Sequence, residues 1–548
     1  MNLISILGIL VLLGIAWLMS YHKSAIKIRP IIWGISLQLL FALIILRDDK
    51  WSFVGMIILG SLLITYIMRG EKDIQKSIGY FFIILCVNII LIVLLNNSYI
   101  LFADLPLYLF LFVLFLTLLN YYVNIAPSMQ KYFTAFILIN GISLLAINNL
   151  YGKDIVEILS QKVSSFLELS DWGSQFLFGN LANNNFFGAW MEDFPNKGTW
   201  PGFGFQFAFK VLPTIIFFGG FMSVLYYIGI MQKVITTMSR FMRWTIGTSG
   251  AETLSCSANI FVGQTEAPLL IKPFLNSMTQ SELLTIMVGG FATIAGGVLA
   301  GYIAMGVPAG HLIAASVMSA PAALVIGKII FPEMEHSETA GDVELPDIKV
   351  GSNIIEAASN GISDGLKLAV NVGAMLIGFI ALIAVLDVIL NWMDSIIDGR
   401  LIGGIYTIYD ASDLSPAKGE YIGYFPGSLQ TIFGTILAPL AFLMGVPWND
   451  AQQVGNLLGI KLSLNEFVAY GTLGNYINSE MLSDRAMIIS TYALCGFANF
   501  SSIGIQIGGL SAIAPARKSD LAKVGLKAMC GGALASWLTA TIAGILII

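Results

Sequence analysis

The sequence has few charged residues. Only 11% of its 548 residues are Asp, Glu, Lys or Arg, whereas about 25% of a typical soluble protein is charged. The formal net charge is −5, and nothing in the distribution of these charges suggests a surface for nucleic acid. The composition therefore excludes an ordinary soluble domain and gives no support to a nucleic-acid partner.

Residues that build metal centres, disulfides and nucleotide sites are also scarce. The four cysteines have no CxxC spacing and lie in apolar or hairpin segments, which predicts packing roles for Cys86, Cys256, Cys495 and Cys530. The three histidines lie far apart, no HExxH motif occurs, and neither Gly-Lys pair is followed by Ser or Thr, so the sequence has no P-loop. With no nucleophile–base pair and no metal cluster in the pattern, we expect neither an enzyme nor a cofactor.

Long apolar stretches, in contrast, recur along the whole chain. Hydrophobic residues make up 57% of the sequence, and the mean hydropathy is +0.82. A spanning helix needs roughly 20 mainly apolar residues, which predicts spans at 3–20, 29–46, 51–69, 78–96, 100–123, 132–150, 206–231, 280–303, 309–331, 366–391, 485–511 and 521–548. An amphipathic stretch at 154–169 predicts an interfacial helix, followed by a loop at 170–203. The sequence therefore predicts an all-α polytopic membrane protein.

One apolar region, 251–275, carries polar residues at its centre. Gln264, Thr265 and Glu266 lie between flanks of about a dozen and about nine residues, too short for a spanning helix. A charge at membrane depth costs about 2.5–3.5 kcal/mol and by default marks a functional site. Non-helical backbone at that depth must be covered by protein or line a wet cavity. We therefore predict a re-entrant hairpin with a functional tip.

A second region repeats this arrangement. Glu266 precedes the segment GFATIAG at 290–296, and Glu466 precedes GFANFSS at 496–502, so each unit joins a polar tip to a predicted broken helix. Repeated units with interrupted helices are typical of secondary transporters. Basic residues after the first, third and seventh predicted spans place those ends in the cytoplasm and the N-terminus outside. Arg517 and Lys518 then lie inside only if 427–446 does not fully cross and 450–482 is a re-entrant hairpin from the opposite face.

At these residues the sequence resembles the concentrative nucleoside transporter family, the sodium/nucleoside symporters. The likeness covers roughly 1–47 and 154–548. It rests on LPTIIFF at 212–218, SANIFVGQTEAPL at 257–269, MTQSEL at 278–283, NEFVAY at 465–470 and CGFANFSS at 495–502. The resemblance implies an inverted-repeat fold with two opposed hairpins, importing nucleosides of the uridine, cytidine or adenosine class. It also implies a homotrimer, joined at the 366–391 helix, in which a transport domain moves like an elevator.

The resemblance also implies a division of the chain into parts. These are the first two membrane helices at 1–50, inserted peripheral helices at 51–150, an interfacial helix and scaffold helix at 151–245, the first half of the transport domain at 246–335, an acidic loop and trimer-contact helix at 336–425, and the second half of the transport domain at 426–548. Compact relatives lack the inserted part. Its expected role is packing, with a partner-binding or regulatory role as the alternative.

Site residues follow from the same resemblance. It places the nucleobase against Gln264, Thr265, Glu266 and Val298, and the ribose against Glu466, Asn499 and Ser502, with Phe497 beside them. It places sodium between Asn259, the Val262 and Ile294 carbonyls and the Thr293 hydroxyl. Packing is an alternative for Phe497, and backbone capping is one for the polar residues. Sodium is the expected coupling ion, with coupling to protons through Glu266 or Glu466 as the alternative, in the cytoplasmic (inner) membrane.

Overall fold

The structure, a computed structural model, describes residues 2–70, 74–101, 105–123, 127–182, 206–341, 350–408 and 419–547. These residues are mostly helical, which confirms the predicted class. One antiparallel pair of three-residue strands, β1 (Tyr406–Ile408) and β2 (Gly419–Tyr421), departs from a purely α fold. Nine helical stretches in the described part are long and apolar enough to cross a bilayer, or ten if one strongly bent pair counts as a single span.

In the part of the chain that the structure describes, six α-helices precede the predicted interfacial segment. They are α1 (Asn2–Leu18), α2 (Ile28–Leu46), α3 (Lys50–Arg69), α4 (Ile74–Leu101), α5 (Leu105–Val123) and α6 (Gln130–Ile147). Helices α3 to α6 pack on one another, and α3, α4 and α6 share a small apolar cluster of their own. Polar bonds cross this bundle: Asn88 donates to Ser61 Oγ at 2.8 Å, and Asn120 donates to Gln130 Oε1 at 2.6 Å. These hydrogen bonds between helices contribute to holding the bundle together, because lipid offers no hydrogen-bond partners to the polar side chains.

The next four helices are α7 (Gly152–Leu167), α8 (Ser170–Phe178), α9 (Phe207–Ile228) and α10 (Ile230–Ile246). The loop predicted at 170–203 is thus wrong at its start, where α8 forms, while 183–203 lies outside the described residues. Helix α10 was also not predicted. Most of its apolar residues are buried, whereas Lys233 and Thr237 are exposed. Because polar and apolar residues mix along its sequence, it has no unbroken apolar run that signals a span.

The described structure of the first polar region, 251–275, has short helices: α11 (Gly250–Ala258) leads to a tip and then to a 3₁₀ helix at Ala267–Ile271. Three helices follow this region: α12 (Gln280–Ala292), α13 (Gly296–Ala304) and α14 (Ala309–Ile330). Helices α11 and α12 both begin with a capping box, Ser249 with Glu252 and Thr279 with Glu282. Because each box satisfies end amides of its helix, it fixes where the helix starts.

The remaining helices form the second half of the chain. They are α15 (Ile354–Asp394), which continues as a π-helix at Ser395–Ile402, then α16 (Leu429–Leu443), α17 (Trp448–Ser463), α18 (Glu466–Asn478), α19 (Asp484–Leu494), α20 (Phe500–Ile513) and α21 (Lys518–Leu546). Helices α16 and α17 meet at 117°. The long helix starts at residue 354, earlier than the apolar pattern at 366–391 predicted, because its first turns are polar and capped by Asn353.

Two packed bodies position the site. Helices α12, α14 and α21 form the most buried part of the described structure and pack on one another. Helices α9 and α15 form a separate close pair, in which Gly361 faces Gly219: a Cβ at Gly361 would lie 2.5 Å from the Gly219 carbonyl oxygen. Such an approach requires glycine and locks the two long helices together.

Candidate functional site

The tip after α11 is a compact turn that closes on itself. The Gly263 amide donates to Glu266 Oε2 at 2.9 Å, and the Glu266 amide donates to the Gly263 carbonyl at 3.0 Å. The Glu266 side chain is otherwise exposed. It borders a cavity of about 310 Å³ that also meets Tyr226 and Asp364 on α9 and α15. Glu266 therefore lies where the tip faces the α9–α15 pair.

The break between α12 and α13 lies directly behind this tip. Thr293 leaves α12 with an extended backbone, and the Gly296 amide donates to the Phe261 carbonyl at 3.0 Å. That bond joins the tip to the break. Val298 follows on α13 and is buried, whereas Thr265 is half-buried and packs close to Gly509 on α20.

The second tip separates α17 from α18. Asn465 caps α18 by accepting from the Val468 amide at 3.0 Å, which places Glu466 at the first helical position. Glu466 is 3% exposed. Its Oε1 accepts from the Tyr302 hydroxyl at 3.2 Å, and its Oε2 accepts from Asn499 Nδ2 at 3.2 Å. A buried carboxylate is thus held by neutral donors from two different elements.

The break between α19 and α20 requires glycine. Gly496 has a φ of +115°, and a Cβ there would lie 2.4 Å from the Phe291 carbonyl oxygen. Asn499 then caps α20, because its Oδ1 accepts from the Ser502 amide at 2.8 Å. Phe497 is half-buried between these positions. Asn499 therefore does two things at once: its Oδ1 caps α20, as the capping alternative predicted, while its Nδ2 donates a hydrogen bond to the Glu466 carboxylate.

A chain of hydrogen bonds connects the two tips. Gln264 Nε2 donates to Ser502 Oγ at 3.4 Å, so it reaches the same helix end that Asn499 caps and through Asn499 reaches Glu466. Gln264, Ser502 and Glu466 are each at most 8% exposed. Residues 264 and 466, about 200 positions apart, thus belong to one buried polar cluster, whereas Glu266 lies outside it and faces the cavity.

Two of the predicted cation ligands, Asn259 and Thr293, lie against Gly289 of α12. Asn259 is 1% exposed, and neither its Oδ1 nor its Nδ2 has a hydrogen-bond partner among the residues that the structure describes. Gly289 joins it to Thr293: an added Cβ at Gly289 would lie 3.6 Å from Asn259 Nδ2, and its carbonyl accepts from Thr293 Oγ1 at 2.8 Å. The Val262 and Ile294 carbonyls lie in the tip and the break, outside helices.

This donor set fits a monovalent hard cation. It offers amide, hydroxyl and carbonyl oxygens without a full charge, and hard cations prefer oxygen ligands. A buried amide with two unsatisfied atoms is costly, which an ion bound at its oxygen would relieve in part.

Three buried residues of this region were not predicted. Tyr302 donates to Glu466, Gln506 donates to Gln264, and Lys461 donates to the Ala493 carbonyl at 2.9 Å, to the Cys495 carbonyl at 3.2 Å and to Ser536 at 2.8 Å. Lys461 could have been found, because a lysine within an apolar segment is a functional candidate by default. Tyr302 and Gln506 gave no such signal, since neither side chain is charged.

Known transporters resemble this chain over most of its length. Sequence profiles described as Na+ dependent nucleoside transporter N-terminus, Nucleoside recognition, and Na+ dependent nucleoside transporter C-terminus match residues 7–64, 208–309 and 311–544. An uncharacterized transporter of Haemophilus influenzae is 44% identical over 400 residues, which are 72% of this chain and 86% of that protein. Sodium/nucleoside cotransporter 1 of Sus scrofa is 41% identical over 428 residues, 74% of this chain, although the match spans only 58% of the pig protein.

Solved structures agree with the sequence comparison. The structure of CNTnw in an inward-facing substrate-bound state aligns over 100% of this chain and 98% of its own, with a TM-score of 0.69 and 33% identity. A double variant of CNTnw in an outward-facing state aligns over 100% of this chain and 97% of its own, with a TM-score of 0.70 and 32% identity. The chain therefore belongs to the concentrative nucleoside transporter family: it is a multi-pass membrane transporter, not an enzyme, and sodium is the coupling ion of that family.

Proposed function

We propose that this protein imports nucleosides of the uridine, cytidine or adenosine class across the cytoplasmic membrane, one nucleoside with sodium in each cycle. The single observation that carries the proposal is the buried chain from Gln264 through Ser502 and Asn499 to Glu466. It joins two polar tips, distant in sequence, into one cluster whose groups suit a sugar at one end and a base at the other.

The sugar end is the group around Glu466. A ribose diol offers two hydroxyl donors, and a carboxylate accepts both. Asn499 and Ser502 lie beside it and would complete the hydrogen bonds to the sugar oxygens, while Phe497 would cover one face. In this structure the Tyr302 hydroxyl and Asn499 Nδ2 bond to the carboxylate. The sugar would add to or replace these bonds, so the carboxylate is satisfied with and without it.

The base end is the first tip. Gln264 would offer a side-chain amide to the base edge, and Thr265 and Val298 would contact the base. Glu266 faces a cavity of about 310 Å³. Sites for small ligands measure roughly 300–1,000 Å³. The exposed Glu266 and the buried tip amides therefore suit a base that enters from the side of α9 and α15.

Sodium is the favoured coupling ion, and Asn259 with Thr293, Val262 and Ile294 would bind it. A cation moving down about 100 mV gains roughly 2.3 kcal/mol, and a tenfold gradient adds about 1.4 kcal/mol. One sodium ion would thus sustain a nucleoside gradient of roughly a few hundred-fold. The alternative is coupling to protons, carried by Glu266 or Glu466.

The helices support two re-entrant hairpins and elevator-type movement. The short α11 and the 267–271 segment, and the pair α17 and α18, are too short to cross singly. The 117° angle between α16 and α17 fits a chain that turns back. The α9–α15 pair would be the scaffold, and the body built on α12, α14 and α21 would move against it. Related CNTnw structures have been solved in inward-facing, intermediate and outward-facing states.

Helix α15 would join three copies into a homotrimer. It has 41 residues, so it is about 60 Å long. One of its faces packs on α9, while apolar residues such as Val370 and Leu382 on another are more than half exposed.

Helices α3 to α6 would be a peripheral insertion. The Gly152 amide donates to Ser52 Oγ at 2.9 Å, and Lys153 forms an ion pair with Asp48 at 3.0 Å, so the two ends of the inserted segment meet. Residues 65–207 lie outside all three family profiles, although the N-terminal profile, which ends at residue 64, still includes most of α3. Because the ends already touch, a family member without the segment could join α2 to α7 directly.

Reconstitution of the purified protein tests the function. Proteoliposomes receive labelled uridine or adenosine under an inward sodium gradient, with potassium replacing sodium as the control and a pH gradient as a separate arm. We expect uptake above equilibrium only with the sodium gradient. Uptake that follows the pH gradient and ignores sodium would select proton coupling, and no gradient-driven uptake of any nucleoside would refute the proposal.

A further inference from the structure

A second glutamine lies behind the tip glutamine. Gln506 is on α20 and is 1% exposed. Its Nε2 donates to Gln264 Oε1 at 3.0 Å and to the Met287 carbonyl at 3.2 Å. The contact joins α20, the first tip and α12 at one point. None of the sequence motifs that indicate the site includes this residue.

The Met287 carbonyl determines the orientation of the Gln506 and Gln264 side-chain amides. A carbonyl oxygen only accepts, so the Gln506 atom facing Met287 must be the NH₂ group. The same NH₂ group faces one atom of Gln264, which must therefore be the Oε1 acceptor. The hydrogen-bond partners thus fix the orientation of both side-chain amides. Gln264 is left with its NH₂ group directed away from Gln506, toward Ser502.

Packing holds this pair in place. A Cβ at Gly290 would lie 2.5 Å from Gln506 Nε2 and 3.0 Å from Gln264 Cβ, so both side chains lie directly on the backbone of α12. Gln506 also leaves its own Oε1 without a partner in the described part of the chain. A buried, unsatisfied acceptor is unfavourable for stability. The glutamine at position 506 is therefore better explained by the hydrogen bond that its NH₂ group donates to Gln264.

We propose that Gln506 is a positioning residue that fixes Gln264 as a hydrogen-bond donor, so that the transporter prefers bases with a carbonyl at the recognised edge. Resting on the proposed nucleoside transport, this inference names the preferred substrate class: uridine over cytidine, and inosine over adenosine. A carbonyl of the base accepts from Gln264 Nε2, displacing the long 3.4 Å bond to Ser502. An amino group in that place would oppose donor to donor and leave both unsatisfied.

The test compares initial uptake of uridine with cytidine and of inosine with adenosine, under an inward sodium gradient, for the wild type and Gln506→Leu. The wild type should favour each carbonyl base by about tenfold, equivalent to about 1.4 kcal/mol. Gln506→Leu releases the Gln264 amide to turn over, so both ratios should fall to within about threefold of unity while sodium dependence persists. Gln506→Met, which keeps an unbranched chain of similar length, repeats the test should the leucine variant fold poorly.

Gln38→Leu is the matched control. Gln38 is a fully buried glutamine on α2 that bonds to Gly34 of its own helix and to Thr539 of α21. Its loss should leave both base ratios unchanged. A wild type that transports both members of each pair equally, or Gln506 variants that keep the wild-type ratios, would overturn the inference and leave nucleoside transport standing. A wild type that takes up none of the four nucleosides would instead overturn the proposed function.

Discussion

Glu466 offers the most quantitative prediction, because it combines deep burial with neutral partners. Glu466→Gln keeps the size and shape of the side chain but removes its charge and converts one acceptor into a donor. The carboxylate is 3% exposed and is held by Tyr302 and Asn499 at 3.2 Å each. Hydrogen bonds to a charged group contribute about 1.5–3 kcal/mol each. Glu466→Gln therefore loses one such bond to the ribose diol and weakens the other to a neutral hydrogen bond of about 0.5–1.5 kcal/mol. The total cost is about 2.5–4.5 kcal/mol, which corresponds to a decrease of roughly 10²- to 10³-fold in transport efficiency.

The assay measures initial uridine uptake into proteoliposomes across a range of uridine concentrations, with equal amounts of correctly folded protein. Glu168→Gln is the control, since Glu168 is exposed at the end of α7 and should transport as the wild type does. A 2′,3′-dideoxynucleoside, which lacks the diol, should lose little further efficiency in Glu466→Gln. Uptake by Glu466→Gln within about threefold of the wild type would refute the assignment of Glu466 to the sugar.

Two other predictions concern the cation and the scaffold. Asn259→Ala removes the buried amide that has no partner in the described structure. It should raise the sodium concentration for half-maximal uptake by about tenfold or more, whereas Asn276→Ala, at an exposed position, should not. An unchanged sodium dependence in Asn259→Ala would exclude Asn259 from the ion site. Gly361→Ala places a Cβ 2.5 Å from the Gly219 carbonyl oxygen, and overpacking of this kind costs about 1–3 kcal/mol, so the thermal unfolding midpoint in detergent should fall. Gly14→Ala on α1 meets nothing within 4 Å and should leave the midpoint unchanged or raise it. Equal midpoints for the two variants would contradict the close α9–α15 packing.

The sequence predicted the helical class and most helix positions because lipid imposes strong local rules. Apolar length marks α2, α9 and α14, and polar residues within apolar flanks mark both tips. Helices α8 and α10 were not predicted because their polar and apolar residues mix along the sequence, so neither helix contains an unbroken apolar run. The β1–β2 pair was equally invisible, since strands of three residues in a polar loop carry no clear pattern.

The candidate site was harder to predict in detail because it depends on long-range packing. Glu266 and Gln264 are neighbours in one motif, yet the turn directs Glu266 toward α9 and α15 and Gln264 toward α20. Nothing in the local sequence predicts that the two side chains point in different directions. Gln506 joins the cluster only because α12 and α20 pack side by side, and a lone glutamine in an apolar helix gives no periodic signal. The binding roles given to all of the predicted substrate and cation residues remain predictions.

An experimental structure of the purified protein with uridine and sodium would show directly whether the two tips form one nucleoside site. We expect one uridine that touches both tips, with its ribose hydroxyls at Glu466 and Asn499 and its base at Gln264. Uridine bound to only one of the two tips, or at a place that neither reaches, would contradict it.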